Sequence, residues 1–111
     1  MDITIETRPS GAAVVTLSGR LDLLSAGEVK QQLTKAVADG RKKLVVDLSG
    51  VTFVDSSGLG ALISGLKAAR LAGGDLRIAR PGEQARVILG LTTLDRVMKP
   101  YGTVEEALDE G

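Results

Sequence analysis

The sequence predicts an α/β fold in a single domain, residues 1–111, with a mixed β-sheet of about four to five strands packed with about four helices. Two patterns support this class. Near the start, two stretches that alternate branched and polar residues flank a turn containing Pro9 and Gly11, which indicates an antiparallel hairpin. From Ser25 onward, helix-like and strand-like stretches alternate, as they do where helices join strands of one sheet.

The opening hairpin is predicted from residues 3–7 and residues 12–17, whose branched side chains recur at the period of a half-buried strand. Pro9 fixes one backbone dihedral between them, and Gly11 permits a positive one, so the chain can reverse there. Only Phe53 and Tyr101 are aromatic, and the core must therefore be aliphatic.

A first helix is expected to begin at Ser25 and to end near Gly40. Ser25 and Glu28 have the spacing of a capping box, in which the two side chains satisfy free amides at the helix start. Gly40 suits the left-handed conformation that often closes a helix. The inward face consists of apolar side chains at helical spacing, namely Ala26, Val29, Leu33, Ala36 and Val37.

The middle of the chain predicts a strand, a helix and another strand. Residues 44–48 are typical of a buried strand, and a second short apolar run covers residues 51–54. The next helix ends at Gly73 and Gly74, and residues 75–79 alternate again as a strand. The apolar stripe of that helix is Leu59, Leu62, Ile63, Leu66 and Ala69.

Short elements are expected at the end of the chain. A helix is predicted over residues 83–89, and residues 97–98 are predicted to form a last short strand before Pro100. Thr103 and Glu106 repeat the capping-box spacing and predict a short terminal helix.

Composition argues against several function classes. The chain has no His and no Cys, so it cannot form a Ser–His or Cys–His nucleophile pair or a zinc site of the usual ligands. Its 14 basic and 14 acidic residues balance, which argues against a nucleic-acid partner. No apolar stretch reaches about 18 residues, and none is expected to insert into a membrane. We expect a cytoplasmic protein that is not an enzyme and has no catalytic residue, metal or cofactor.

The loop before the second helix is the most informative segment. Asp55, Ser56 or Ser57 could each cap the helix, and Gly58 and Gly60 remove side-chain bulk, so that another backbone or a phosphate could approach. A helix amino terminus favours an anion, although Asp55 would repel one on Ser56. The alternative is that the loop only caps the helix. The loop matches neither a Walker A sequence nor a Gly-x-Ser-x-Gly elbow.

Four segments carry a resemblance to a known family. They are residues 19–22 (GRLD), residues 44–60 (LVVDLSGVTFVDSSGLG), residues 73–76 (GGDL) and residues 91–95 (LTTLD). In this order, the chain resembles the STAS-domain anti-sigma factor antagonists, the anti-anti-sigma factors of bacterial partner switching. The similarity extends from about Ile3 to Leu108, and it implies a STAS-like fold.

The resemblance implies a phosphorylation switch at Ser56. In this family, an anti-sigma factor that is also a serine kinase, with a histidine-kinase-like ATPase fold, phosphorylates the first Ser after the Asp. The unmodified protein is expected to bind that kinase and free the sigma factor, and the phosphorylated form is expected to release it. A PP2C-type phosphatase would reset the cycle. Small size and a balanced surface favour a monomer when the protein is free.

By position in the family motifs, the resemblance also implies a partner-binding surface. Its expected residues are Asp22, Asp55, Ser56, Ser57, Gly58, Leu59 and Gly60.

Arg20 is a departure from the family pattern, since many relatives carry Glu at this place. Arg20 could set which kinase is accepted, contact a phosphate on Ser56, or be a solvated side chain. An alternative for the whole chain is a STAS docking subunit of a membrane complex that transports lipids or anions and does not cycle a phosphate.

Overall fold

The protein forms one five-stranded sheet in the strand order β1-β2-β3-β4-β5 in this computed structural model, which describes residues 1–109. Glu110 and Gly111, the end of the predicted domain, lie outside the described residues. The strands are β1 (Asp2–Thr7), β2 (Ala13–Leu21), β3 (Lys43–Val54), β4 (Asp75–Ala79) and β5 (Pro100–Tyr101). The helices are α1 (Ala26–Ala38), α2 (Ser56–Leu71), α3 (Glu83–Leu91) and α4 (Val104–Asp109), and Leu94–Arg96 form a 3₁₀ turn.

The sheet is mixed, as the sequence predicts. β1 and β2 form the antiparallel hairpin, with Ile3 opposite Leu17 and Ile5 opposite Val15. All later neighbours pair in parallel, and a helix lies between consecutive strands in the chain. The carboxyl ends of β2, β3 and β4 therefore meet along one edge of the sheet, the edge at which open α/β sheets commonly place their sites.

Strand alternation divides the buried side chains between the two faces of the sheet. One face carries residues such as Val15, Val46 and Ile78, which pack with the buried side chains of α1, α2 and α3. The opposite face contributes Val14, Val45 and Ala79, which pack with Val104 and Ala107 of α4. The larger core is aliphatic, and each fully buried Leu or Val in it contributes about 1.5–3 kcal/mol through the hydrophobic effect.

The apolar runs at residues 44–48 and 51–54 belong to one long strand. β3 continues through both, and its pairing with β2 shifts register on either side of Ser18 and Gly19. Asp47 lies before the break, and its Oδ1 accepts a hydrogen bond of 3.0 Å from the Ser49 amide. Arg80 donates to both carboxylate oxygens of Asp47. Burial alone would raise the pKa of Asp47, but these hydrogen bonds and the Arg80 charge together lower it.

The predicted strand at residues 97–98 is wrong. Thr93 adopts a left-handed conformation at φ 59°, the 3₁₀ turn follows, and the Met98 amide donates to the Leu94 carbonyl oxygen at 2.7 Å. Met98 is fully buried in the larger core, and the last strand begins only at Pro100. The cap predicted at Thr103 is confirmed, because the Thr103 hydroxyl oxygen accepts a hydrogen bond of 3.0 Å from the Glu106 amide at the start of α4.

Candidate functional site

Two turns meet at the carboxyl edge of the sheet. Leu21 at the end of β2 pairs with Val54 at the end of β3, so the residues that follow the two strands are neighbours. We call residues 22–25 the β2–α1 turn and residues 55–57, the last two of which begin α2, the β3–α2 turn. The Asp55 amide donates to the Leu21 carbonyl oxygen at 3.2 Å, which joins the turns through the backbone.

Asp55 also joins the two turns through its carboxylate. Its Oδ1 accepts a hydrogen bond of 2.8 Å from the Gly58 amide and thereby caps α2. Its Oδ2 accepts a hydrogen bond of 3.1 Å from the Leu23 amide in the other turn. Of the three side chains that could cap α2, Asp55 makes the cap. Neither Ser56 nor Ser57 is therefore needed as the cap of the helix.

Ser56 is exposed in the first turn of α2, and Ser57 beside it is partly buried. Within residues 1–109, the hydroxyl of neither serine has a hydrogen-bond partner. The Ser56 hydroxyl therefore lies on the surface at a helix amino terminus, whose partial positive charge favours an added anion. Asp55 provides a negative charge one residue away.

The two glycines of the loop have different surroundings. A Cβ on Gly58 would overlap the Leu21 carbonyl oxygen and would lie 2.7 Å from Leu21 Cγ, so Gly58 permits the close packing of α2 against the end of β2. A Cβ on Gly60 would meet no atom within 4 Å, and Gly60 is exposed. Leu59 belongs to the core. Gly58 and Leu59 are thus buried beneath the loop and fix its position, while Ser56 and Gly60 lie on its surface.

The capping box predicted for Ser25 is wrong. The Ser25 hydroxyl is turned back toward β2, where it donates to the Arg20 carbonyl oxygen at 2.7 Å and accepts from the Asp22 amide at 3.1 Å. Ser25 is buried and makes no side-chain cap to α1. At the helix start, the Asp22 carbonyl oxygen accepts from the Ala26 amide, so the turn closes through its backbone.

Arg20 and Asp22 form a pair beside the aromatic ring of Phe53. The Arg20 guanidinium carbon lies 4.5 Å from the Phe53 ring centroid, and Arg20 Nε donates to Asp22 Oδ2 at 3.2 Å. Desolvation alone would raise the pKa of Asp22, but the Arg20 hydrogen bond, the Leu24 amide and the Arg20 charge outweigh it and lower the pKa. The carboxylate of Asp22 is thereby kept charged near the loop.

Sequence reasoning missed two features of the site. Leu23 and Leu24 project into solvent from the β2–α1 turn, 74% and 94% exposed. Their sequence signal was an adjacent apolar pair outside any predicted helix stripe. Gln84 of α3 also clamps the end of β3, since its side chain donates to the Val54 carbonyl oxygen and accepts from the Val54 amide, each at 2.8 Å. No sequence pattern pointed to Gln84.

Residues 1–109 hold no group of three or more His, Cys, Asp or Glu side chains arranged for a metal ion. No helix among them combines the length and apolar character needed to cross a membrane.

The fold and the site together define an α/β module with an exposed serine at the edge of a mixed sheet, and comparison with known proteins identifies its class. A family model of the STAS domain matches residues 3–107, and the chain therefore belongs to the STAS domain family. Several curated relatives and solved structures that resemble it carry the name anti-sigma factor antagonist. A sulfate transporter family protein from Wolinella succinogenes also superposes with a TM-score of 0.78, at 16% identity, and shares the fold.

The relatives match at moderate identity. The anti-sigma-F factor antagonist RsfB of Mycobacterium tuberculosis is 30% identical over 101 residues, which cover 89% of this chain and 80% of the relative. A proposed anti-sigma factor antagonist of Thermotoga neapolitana is 38% identical over 71 residues, 64% of this chain and 63% of the relative. The match with the Thermotoga relative thus spans less than two thirds of its length.

Solved structures agree with this placement. The crystal structure of an anti-sigma factor antagonist from Mycobacterium paratuberculosis superposes with a TM-score of 0.86 at 32% identity, covering 96% of this chain and 90% of that one. SpoIIAA in its unphosphorylated form superposes with a TM-score of 0.83 at 22% identity, covering 97% of this chain and 94% of that one, which shows the shared fold. The predicted fold class is confirmed.

Proposed function

We propose that this protein is an anti-sigma factor antagonist of a bacterial partner switch, and that its state is set by phosphorylation of Ser56. The observation that carries the proposal is the exposed Ser56 hydroxyl, which has no hydrogen-bond partner within residues 1–109 and lies in the first turn of a helix already capped by Asp55. A kinase could therefore modify Ser56 without removing the cap of α2.

Phosphorylation would act locally. It adds about −1.5 to −2 charges and three acceptor oxygens. The amino terminus of α2 favours the anion, so the helix should persist, while the new charge beside Asp55 changes what a partner meets. We propose that the fold barely changes and that the partner is rejected by charge and bulk. Widely different amide spectra of the two forms across the sheet would contradict this mechanism.

The proposed partners follow from the switch. The unmodified protein would bind an anti-sigma factor with serine kinase activity and a histidine-kinase-like ATPase fold, thereby freeing the sigma factor. A PP2C-type phosphatase would remove the phosphate. The proposed contact residues on the surface are Asp22, Asp55, Ser56, Ser57 and Gly60, with Gly58 and Leu59 shaping the loop from below. Their placement along one sheet edge supports this assignment.

Arg20 has two candidate roles in this switch, kinase selection and contact with the phosphate. Its hydrogen bond to Asp22 and its position over Phe53 place its charge beside the β2–α1 turn. A phosphate contact would require Arg20 to exchange Asp22 for the new anion.

A pull-down from source-cell lysate tests the proposal, with Ser56→Ala, Ser56→Asp and Ser57→Ala as baits beside the wild type. The neighbouring Ser57 is the control for the site of phosphorylation, because Ser57→Ala removes the adjacent hydroxyl and keeps Ser56. We expect wild type and Ser56→Ala to capture a histidine-kinase-like ATPase. Ser56→Asp should bind the recovered ATPase at least about 100-fold more weakly, because an unpaired carboxylate that is buried in an interface costs several kcal/mol.

Mass spectrometry of recovered wild type supplies the second readout. Phosphate on Ser56, and its loss in Ser56→Ala but not in Ser57→Ala, is the expected result. A membrane permease held equally by all baits, with Ser56 unmodified, would contradict the switch and favour the docking subunit of a transport complex.

A further inference from the structure

Among residues 1–109, four leucines are at least 74% exposed, and of these only Leu23 and Leu24 are adjacent in the sequence, whereas Leu71 and Leu91 stand singly. Most leucines of the strands and of α2 lie in the larger core with almost no exposure, whereas Leu24 is 94% exposed and Leu23 is 74% exposed. Two adjacent apolar side chains in solvent contribute nothing to folding through burial. A binding role would explain these two leucines, because burial of their side chains by a partner is favourable and does not occur when the protein folds.

The backbone of this leucine pair is held in place by the site itself. The Leu23 amide donates to Asp55 Oδ2 at 3.1 Å, and the Leu24 amide donates to Asp22 Oδ1 at 3.1 Å. The same Asp55 carboxylate caps the helix that presents Ser56. The two leucines are therefore presented at a fixed place relative to Ser56, and binding them costs less ordering entropy than binding a mobile loop.

We propose that Leu23 and Leu24 are the apolar anchor through which the anti-sigma kinase docks, inserted into an apolar pocket of the kinase next to the site that receives Ser56. This inference rests on the proposed function. Its occupant follows from continuity: Asp55 bonds both turns, so a kinase that reaches the Ser56 hydroxyl also covers the adjoining β2–α1 turn.

Other occupants fit the surroundings less well. An anionic membrane surface would meet two carboxylates, those of Asp22 and Asp55, and a single nearby cation, Arg20, which is already paired with Asp22. A second copy of the chain held by this pair alone would bury far less than the roughly 1,000 Å² expected of a stable interface. A kinase, in contrast, needs only to extend its contact beyond Ser56, the serine that it is proposed to phosphorylate.

The test measures binding and phosphorylation of Leu23→Ser, Leu24→Ser and the double variant by the purified kinase that unmodified wild type captures. Burial of one Leu is worth about 10-fold or more in affinity, so we expect about 10-fold weaker binding for each variant and about 100-fold for the double variant. The Michaelis constant for the protein substrate should rise by similar factors while kcat stays near wild type, because the anchor does not touch the reacting atoms.

Leu71→Ser is the matched control. Leu71 is 90% exposed, as Leu24 is, but it ends α2 about 22 Å from Ser56 along the helix. It should leave binding unchanged. All four variants replace exposed side chains and should unfold in urea at the wild-type midpoint, which separates lost docking from lost folding.

The outcomes distinguish the two proposals. Equal kinase binding by wild type and the double variant would overturn the anchor and leave the switch intact. Failure of unmodified wild type to capture any kinase would overturn both. Leucine-dependent self-association of the free protein, or leucine-dependent binding to anionic vesicles, with kinase affinity unchanged, would assign the pair to a different occupant and overturn the anchor.

Discussion

The β2–α1 turn and the β3–α2 turn start helices at the same edge of the sheet, yet they use their polar side chains in opposite ways. In the β3–α2 turn, the Asp55 carboxylate points forward and accepts from the Gly58 amide of the helix that follows. In the β2–α1 turn, the Ser25 hydroxyl points backward and donates to the Arg20 carbonyl oxygen at the end of the preceding strand. The Asp22 carboxylate is left to hold the Leu24 amide.

This contrast determines which of the two turns can be modified without loss of structure. The hydroxyl of the β2–α1 turn is committed and buried, so that turn is a fixed support which projects two leucines. In the β3–α2 turn, the cap is supplied by Asp55, and the exposed serine after it is not needed for folding. A modification site fits the second turn because the side chain that could be modified carries no structural hydrogen bond within residues 1–109.

The largest expected effect comes from the close packing of the two turns. Gly58→Ala would drive a Cβ into the Leu21 carbonyl oxygen, a backbone atom that cannot move without disturbing β2. We expect the free energy of unfolding to fall by about 3 kcal/mol, measured by urea denaturation. Gly60→Ala is the matched control two residues along the same helix, where no atom lies within 4 Å.

Gly60→Ala should stabilise the protein by about 0.5–1 kcal/mol, because alanine is the better helix former. Equal effects of the two substitutions would show that α2 does not pack directly against the end of β2, and the contact between the turns would have to be abandoned.

The next effect tests the opposite roles of the capping residues by exchanging them. Ser25→Asp should destabilise the protein by about 2 kcal/mol, because a carboxylate cannot donate to the Arg20 carbonyl oxygen and is costly to bury. Asp55→Ser should cost less than about 1 kcal/mol, since serine is a comparable helix cap and only the bond to the Leu23 amide is lost.

Thermal or urea unfolding of both variants and of Ser25→Ala measures this difference. If Ser25→Asp were as stable as wild type while Ser25→Ala was not, Ser25 would be an ordinary cap of α1, and the backward orientation of its hydroxyl would be refuted.

The same contrast explains how far the sequence could predict this molecule. Alternating strand and helix patterns depend on local periodicity, and they gave the sheet, the hairpin and the helices. Asp55 could be proposed as a cap because its carboxylate accepts a hydrogen bond from an amide only three residues further along the chain. Ser25 has the same local signature, but its actual partner, the Arg20 carbonyl oxygen, depends on how β2 ends against β3.

The other differences come from backbone conformations and contacts that have no periodic signature in the sequence. Met98 has the apolar character of a strand residue, but the left-handed Thr93 before it directs it into the core. Gln84 reaches Val54 across thirty positions of the chain, and no local pattern encodes that contact. The exposure of Leu23 and Leu24 likewise became visible only when β2, α1 and Asp55 were placed together.

The smallest expected effect concerns the charge of the β2–α1 turn. The pKa of Asp22 lies below the ordinary value of an aspartate in the folded protein, where burial would raise it but the Arg20 hydrogen bond, the Leu24 amide and the Arg20 charge outweigh that effect. A lowered carboxyl pKa stabilises the folded state fully above the unfolded-state value, and this contribution is lost as pH falls through the folded value. NMR titration of the Asp22 carboxyl should therefore give a midpoint below that of an ordinary aspartate in wild type and a higher midpoint in Arg20→Ala. Arg41→Ala, which removes a cation bonded to Thr7 in β1, should leave the midpoint in place. A midpoint unchanged by Arg20→Ala would mean that Arg20 is a solvated side chain, free to engage a phosphate or a kinase without first leaving Asp22.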